Sequence, residues 1–407
     1  MDKFRSFLPE KWWAMCLFLS AVCFTSCDND PKEQTPTPTN NQATMITDQT
    51  KLDMIHSLVD LEGDKGRIYE MTYTCDYKLE EALNAGIDGT ETLIKFVATH
   101  LLDKVPSSSK VNLSYHAGCS AFACPNAQSA NHYLMGRNFD FNHFKPGTKE
   151  RIMIPLIAVH TAPKGGKKSV SFVDGQFVGY ASGFYTDNKS DLSMLMALPY
   201  LLLDGINEDG FAVSVLKLDG KPTLQKEAGK KTIFTTIAMR MLLDRASTVK
   251  EAIAMLKQYN MCMDKDPNAN YHFFMADATG DWAIVEYTNA DVNQHPDKME
   301  VLTTDDILRY TTNFYVSPSM ADTPYGINHS MHGKDRYDNL KKVLKEKNYT
   351  LTPEQAMDLL KLVSQGPDGD QSSTGFTQWS EVYDLNNKSL KLHILREWDK
   401  TFEFKVK

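Results

Sequence analysis

The chain has 407 residues, 42% hydrophobic and 24% charged, a balance that supplies ample core for one large domain or two smaller ones. A formal net charge of -8, with no basic stripe carrying interleaved aromatics, excludes a protein built to grip nucleic-acid phosphates. The lysines at 164–168 and 341–347 read as short solvated faces.

In chain order, Lys3, Arg5 and Lys11 precede an apolar run at 12–24. That run is short for a membrane span and right for a secretory signal. It closes on Phe-Thr-Ser-Cys at Cys27, which resembles the lipobox of a bacterial lipoprotein. Residues 1–27 are therefore expected to be a lipoprotein-type signal peptide with Cys27 as the lipidated residue. Plain signal cleavage nearby is the alternative. Residues 28–45, rich in Pro, Thr and Asn, read as a disordered tether. The expectation is an exported protein, lipid-anchored in the bacterial cell envelope on its periplasmic or outer face.

Residues 46–118 read as a mainly helical leader. "TKLDMIHSLVDL" and "GTETLIKFVATHLLDKV" carry apolar residues at three- and four-residue spacings, and Pro106 stops the second. From Gly118 the pattern changes to strands. "CSAFAC" and "YLMGRNFDF" bracket a polar turn and predict a hairpin. "RIMIPLIAVHT", "KSVSFVDG" and "GFAVSVLKLDG" continue as short β runs, followed by helices in "TIFTTIAMRMLLDRA" and "STVKEAIAMLKQY". In the second, Thr248 and Glu251 have capping-box spacing. "YHFFMADATGDWAIVEYT" predicts a hairpin and 310–314 a strand. Helices at "KDRYDNLKKVLKEK" and "TPEQAMDLLKLVSQ" then precede final strands at "TQWSEVYDL" and "KSLKLHILRE". Blocks of strands, helices and strands again indicate a layered α+β fold.

Beyond Cys27 the cysteines are Cys75, Cys119, Cys124 and Cys262, an even number that leaves two disulfides open in an oxidising compartment. A surviving free thiol would itself hint at chemistry. Cys124, His132 and His143 have no compact zinc spacing. A cysteine attacks as its thiolate and needs a base or a positive charge nearby. Hairpin pairing brings Arg137 and Asp140 toward Cys119. Because three residues separate them, aiming both at one face requires a bulge or a strand end. His116, His132 and His143 are nearby but have no clear catalytic setting. The α-amine of Cys119 itself, with an unperturbed pKa of about 7.7 to 8.0, can serve as the base. That requires Cys119 to become a chain terminus. Gly118 before it puts the least steric bulk at the scissile bond.

Gly118-Cys119-Ser120, followed by Gly136-Arg137-Asn138-Phe139-Asp140, resembles the choloylglycine hydrolase (linear amide C–N hydrolase) family of N-terminal-nucleophile hydrolases. This family includes conjugated bile acid hydrolases and penicillin V acylases. "DGINEDGFAVS", "FFMADATGDWAIVEYT", "YTTNF", "DRYDNL" and "TQWSEVYDL" continue the resemblance in the same order to residue 385. It implies a four-layer αββα sandwich over 119–407, with Cys119 as nucleophile and α-amine base and Arg137 beside the sulfur. It also implies that Asp140 holds the amine, Asn313 donates to the oxyanion and Arg336 completes the polar cluster. No cofactor or metal is implied.

Two departures stand out. Bile acid hydrolases carry Asn where this chain has Lys217, so one oxyanion partner differs; Asn207 could substitute only with a different local geometry. The long leader ending in Gly118-Cys119 looks more like acid ceramidase, N-acylethanolamine amidase and the penicillin side-chain acyltransferase, which cut themselves and keep the leader as a small subunit. The reading is an autocleaving amidohydrolase of linear N-acyl amides: fatty-acid amides, N-acyl amino acids or bile acid conjugates. The partner would be a small-molecule amide with an apolar acyl group, with membrane contact through the lipid anchor only and self-association left open. An acyltransferase on the same scaffold and a catalytically inactive surface-binding lipoprotein are the rival readings.

Overall fold

The structure, a computed structural model, describes residues 43–63, 65–104, 117–145, 148, 150–185, 190–263, 270–303, 309–366 and 375–407. The signal peptide, Cys27, nearly all of the tether, Pro106 and His116 lie outside the described residues. Among the described residues no helix is long and apolar enough to cross a membrane.

The described chain forms four layers, helices–sheet–sheet–helices. The first sheet has six strands: β3 (Ala117–Pro125), β4 (Tyr133–Phe141), β14 (Tyr310–Thr311), β15 (Phe376–Asp384), β16 (Ser389–Ile394) and β17 (Phe402–Lys405), in the order β14-β3-β4-β15-β16-β17. The second has nine strands, β1 (Val59–Asp60), β2 (Ile68–Tyr73), β5 (Leu156–Thr161), β6 (Ser169–Asp174), β7 (Asp204–Asn207), β8 (Ala212–Leu218), β11 (Asn270–Ala276), β12 (Trp282–Thr288) and β13 (Lys298–Thr303). They run β1-β2-β5-β6-β7-β8-β11-β12-β13 across the sheet. β9 (Lys231–Phe234) and β10 (Tyr259–Cys262) make a separate parallel pair.

Helices α6 (Lys334–Glu346) and α7 (Pro353–Leu362) cover the six-stranded sheet, α6 against β3 and β14, α7 against β4 and β15. On the nine-stranded sheet, α4 (Thr235–Arg245) packs on β7 and β8, α5 (Val249–Leu256) on β12 and α1 (Gln49–Ile55) on β2. The two sheets meet where β3 lies over β8 and β11. Inner strands such as β5 and β12 are buried along their whole length, so they read as apolar runs without clean alternation.

The leader differs from its helical expectation. It forms α1, α2 (Leu79–Asn84) and α3 (Thr90–His100), but residues 68–73 are a strand that pairs in parallel with β5, from Ile68 with Leu156 to Tyr73 with Thr161. Ile68, Tyr69, Met71 and Tyr73 are buried there. β-branched and aromatic side chains suit that pleated surface better than a helix. "TIFTTIAMRMLLDRA" begins as strand β9 before α4, and the 310–314 strand shrinks to the two residues of β14. Thr248 caps α5 as expected, accepting from Glu251 N at 3.2 Å, but Glu251 reaches back to Ser247 N (2.7 Å), one residue ahead of the cap.

Candidate active site

β3 and β4 pair in unbroken antiparallel register, with Cys119 opposite Phe139, Ala121 opposite Arg137 and Gly118 opposite Asp140. Directly opposed residues share a face, so Cys119, Phe139 and Arg137 point between the sheets while Asp140 points to the helix layer. The bulge expected between Arg137 and Asp140 is absent from β4; the irregularity lies in β15, between Thr377 and Trp379. Arg137 and Asp140 therefore flank residue 119 from opposite faces. Gly118 sits in regular strand, so the Gly118–Cys119 bond lies in extended backbone. Gly136 has its own steric reason: a Cβ there would lie 2.4 Å from the ring of its cross-strand partner Phe122.

Cys119 is 2% exposed. Its backbone N–H donates to Asn313 Oδ1 (2.8 Å), and its carbonyl accepts from Arg336 Nη1. Arg336 also donates to Ser120 Oγ (3.0 Å) and Asn313 Oδ1 (2.7 Å), and lies 3.6 Å from Asp140 Oδ2. Arg336 is buried in the first turn of α6, reached from Gly333 in the left-handed region (φ 79°), where a Cβ would stand 2.6 Å from the guanidinium. Burial raises the Cys119 thiol above its ordinary value, with Asp140 adding to the rise, while Arg137, Arg336 and the backbone N–H of Lys217 offset part of it.

Asn313 turns its carbonyl oxygen toward residue 119, not its amide hydrogens; Nδ2 donates to the Lys217 carbonyl (2.8 Å). Lys217 thus meets the site through its main chain, while its ammonium pairs with Asp219 (2.9 Å). Asn207 is not an oxyanion donor. Its two Nδ2 hydrogens go to the Leu243 and Ala246 carbonyls (3.0 and 2.7 Å), and its Oδ1 accepts from Asp209 N and Phe211 N. It ties the β7–β8 turn to the end of α4. Asp140 accepts from Thr377 Oγ1 (2.5 Å) and Gln365 Nε2 (2.7 Å).

The partners of Arg137, namely Asp204, Glu381 and Tyr383, were not foreseen. Arg137 is fully buried, pairs through Nε with Asp204 Oδ2 (2.6 Å), donates to the Val215 carbonyl (3.1 Å) and lies 5.3 Å from the Phe139 ring centroid. Glu381, opposite Arg137 on β15, and Tyr383 complete the nest. Burial and the neighbouring Asp204 push Glu381 well above the usual carboxylate range. The sequence signal was Trp379-x-Glu381-x-Tyr383, an acidic residue between two aromatics in the inward register of a buried strand.

The other candidates lie elsewhere. Cys124 is at the far end of β3, its thiol pushed up to about 12 by burial. His132 faces Asp384 (3.9 Å), and His143 bonds to Asp174 (2.8 Å). The four cysteines of the described residues carry free thiols, so the two disulfides left open by the sequence are not formed.

Residues 119–325 match the family of linear amide C–N hydrolases, choloylglycine hydrolase family. The chain belongs to this family of amide-bond hydrolases. A search of curated protein sequences found no match. Among solved structures, similar ones include a variant conjugated bile acid hydrolase from Clostridium perfringens, at 14% identity and TM-score 0.46, covering 70% of this chain and 92% of that one. A penicillin V acylase from Agrobacterium tumefaciens is 17% identical with TM-score 0.46, covering 70% of this chain and 86% of that one.

Proposed function

We propose that the chain is an autocleaving cysteine amidohydrolase in which Cys119, freed from Gly118, supplies both the attacking sulfur and the proton-carrying amine. The observation that carries this reading is the convergence on one residue: Asn313 holds the nitrogen of Cys119, Arg336 its carbonyl, and Arg137 with the Lys217 N–H faces its sulfur. Any buried residue needs partners for its N–H and carbonyl, but a structural cysteine needs no guanidinium beside its sulfur. The family match also begins at Cys119.

In the self-cut, Sγ attacks the Gly118 carbonyl carbon, the C–N bond breaks, and the thiol proton ends on the departing nitrogen. The acyl group is left as a thioester that water hydrolyses. At 2% exposure residue 119 is closed to an outside substrate, so a rearrangement around it must precede turnover. In turnover the new α-amine accepts the thiol proton as sulfur attacks an amide carbonyl, then gives it to the leaving amine. Asn313 Oδ1 keeps the amine in place; its second Nδ2 hydrogen is the donor left to meet the oxyanion. Arg137 stabilises the thiolate, and Asp140 with Arg336 keeps the far side of residue 119 fixed.

The substrate proposed is a linear N-acyl amide with an apolar acyl part and a small polar amine: a fatty-acid amide, an N-acyl amino acid or a bile acid conjugate. Residues 46–118 are proposed to stay bound after the cut, and Cys27 to carry the lipid anchor of an exported protein. The test is a panel of these amides assayed for released amine, with and without added amine acceptors. Amine release from wild type and none from Cys119→Ala supports hydrolysis. New amides formed with the acceptors would make it an acyltransferase, and silence across the panel would favour an inactive binder.

A further inference from the structure

We propose that His272 and Glu286 form a buried clamp that positions Asn313, and through it the nitrogen of Cys119. The inference rests on the role proposed for Cys119. Asn313 lies in the irregular stretch that follows β14, where Tyr315 is held by Tyr325 and Ile327 but Thr312, Val316 and Ser317 lie outside any ladder and need other backbone partners. Residues 312–317 are nevertheless all buried.

Two side chains from the β11–β12 hairpin meet that need. His272 and Glu286 lie one step beyond the Phe273–Val285 pair, and His272 Nδ1 stands 3.0 Å from Glu286 Oε1. His272 Nε2 is 2.9 Å from the carbonyl of Thr312. A carbonyl only accepts, so Nε2 carries the hydrogen. Glu286 takes the other side of the stretch, accepting from Val316 N (3.0 Å) and Ser317 N (2.8 Å). The stretch holding Asn313 is thereby gripped on both sides, at its neighbour Thr312 and three to four residues further on at Val316 and Ser317. Thr312 Oγ1 also donates to the Gly333 carbonyl (3.1 Å), linking the stretch to the start of α6, where Arg336 originates.

Both residues are fully buried. A buried ionisable pair is weak support for stability, since an apolar pair of similar volume often does as well. Its bonds here all end on the backbone around Asn313. They hold the backbone around Asn313, which in turn holds Cys119, so both are positioning residues.

The test uses the full-length chain and the variants His272→Phe, His272→Gln and Glu286→Gln. The fraction split at Gly118–Cys119 is followed by intact mass after in vitro translation, with kcat, KM and thermal midpoint on purified protein. Phe keeps the ring but lacks the donor, and is expected to slow splitting and kcat on the order of 10- to 100-fold with KM unchanged. Gln restores a donor to Thr312 and should recover part of the loss. Glu286→Gln puts an N–H donor against one of the Val316 and Ser317 amides and should resemble His272→Phe. If His272→Phe does not fold, the other two variants decide by the same readouts. Folded variants that split and turn over at the wild-type rate, with only the thermal midpoint lowered, would overturn the clamp alone. A wild type that never splits would overturn the reading of Cys119 and the clamp's role with it.

Discussion

The backbone N–H of Cys119 donates to Asn313 Oδ1 at 2.8 Å, and the same oxygen accepts Arg336 Nη2 at 2.7 Å. Two donors on one oxygen, with Nδ2 on the Lys217 carbonyl, leave the amide one orientation. The proposed cut would turn that peptide nitrogen into an amine already facing Asn313 Oδ1. Asn313→Ala removes both the acceptor and the remaining oxyanion donor. It should slow self-cutting and turnover about a hundredfold or more, read by intact-mass time course and by kcat.

The Arg137–Asp204 pair has no solvent to fall back on, both side chains being fully buried. Asp204→Asn leaves a buried guanidinium without its counter-charge and should destabilise the fold by about 3–5 kcal/mol in denaturant unfolding. Replacing both, Arg137→Met with Asp204→Leu, should recover most of that stability and still leave an uncut chain. Stability and chemistry would then separate at one site.

Glu381 gives the fold a pH dependence of definite sign. Burial and the neighbouring Asp204 raise its carboxyl above the ordinary 4.5, while direct contact with Arg137 keeps Asp204 the more acidic of the two. The folded chain therefore holds a proton that the unfolded chain has released. This contribution is fully present below the ordinary value and is lost as pH rises toward the folded one, by up to about 1.4 kcal/mol per pH unit. Glu381→Gln keeps a neutral group there at every pH. Urea unfolding from about pH 5 to about pH 9 should show a decline in wild type that the variant largely removes.

The leader should stay after cutting. β2 hydrogen-bonds along six residues of β5, Tyr73 OH donates to the Met196 carbonyl (3.0 Å), and Tyr77 OH to Asp244 (2.6 Å). Each buried apolar side chain of β2 adds roughly 1.5–3 kcal/mol. Both fragments should co-elute in size-exclusion chromatography and part only in denaturant.

Much of this was legible in the sequence because it is local. The β3–β4 hairpin, the β11–β12 hairpin, the Thr248 cap and the helices α6 and α7 follow from periodicity and turn residues. Cys119, Arg137 and Asp140 were named from hairpin pairing, and Asn313 and Arg336 through family resemblance; Asn313 and Arg336 contact the backbone of residue 119, with Asp140 beside Arg336. What was not legible depends on partners far along the chain. "RIYEMTY" looked like part of a helical leader because nothing in it reveals the waiting edge of β5. Asp204 and Glu381 lie far apart in sequence; pairing of β15 with β4 brings Glu381 to Arg137, and stacking of the two sheets brings Asp204. Lys217 was suspect by side chain, yet it is the backbone at that position that meets Cys119 and Asn313.

N-terminal sequencing of the large fragment from active protein tests the central claim most directly. A sequence beginning Cys119-Ser120-Ala121 is the predicted result. Activity from material in which residue 119 is still joined to Gly118 would contradict it.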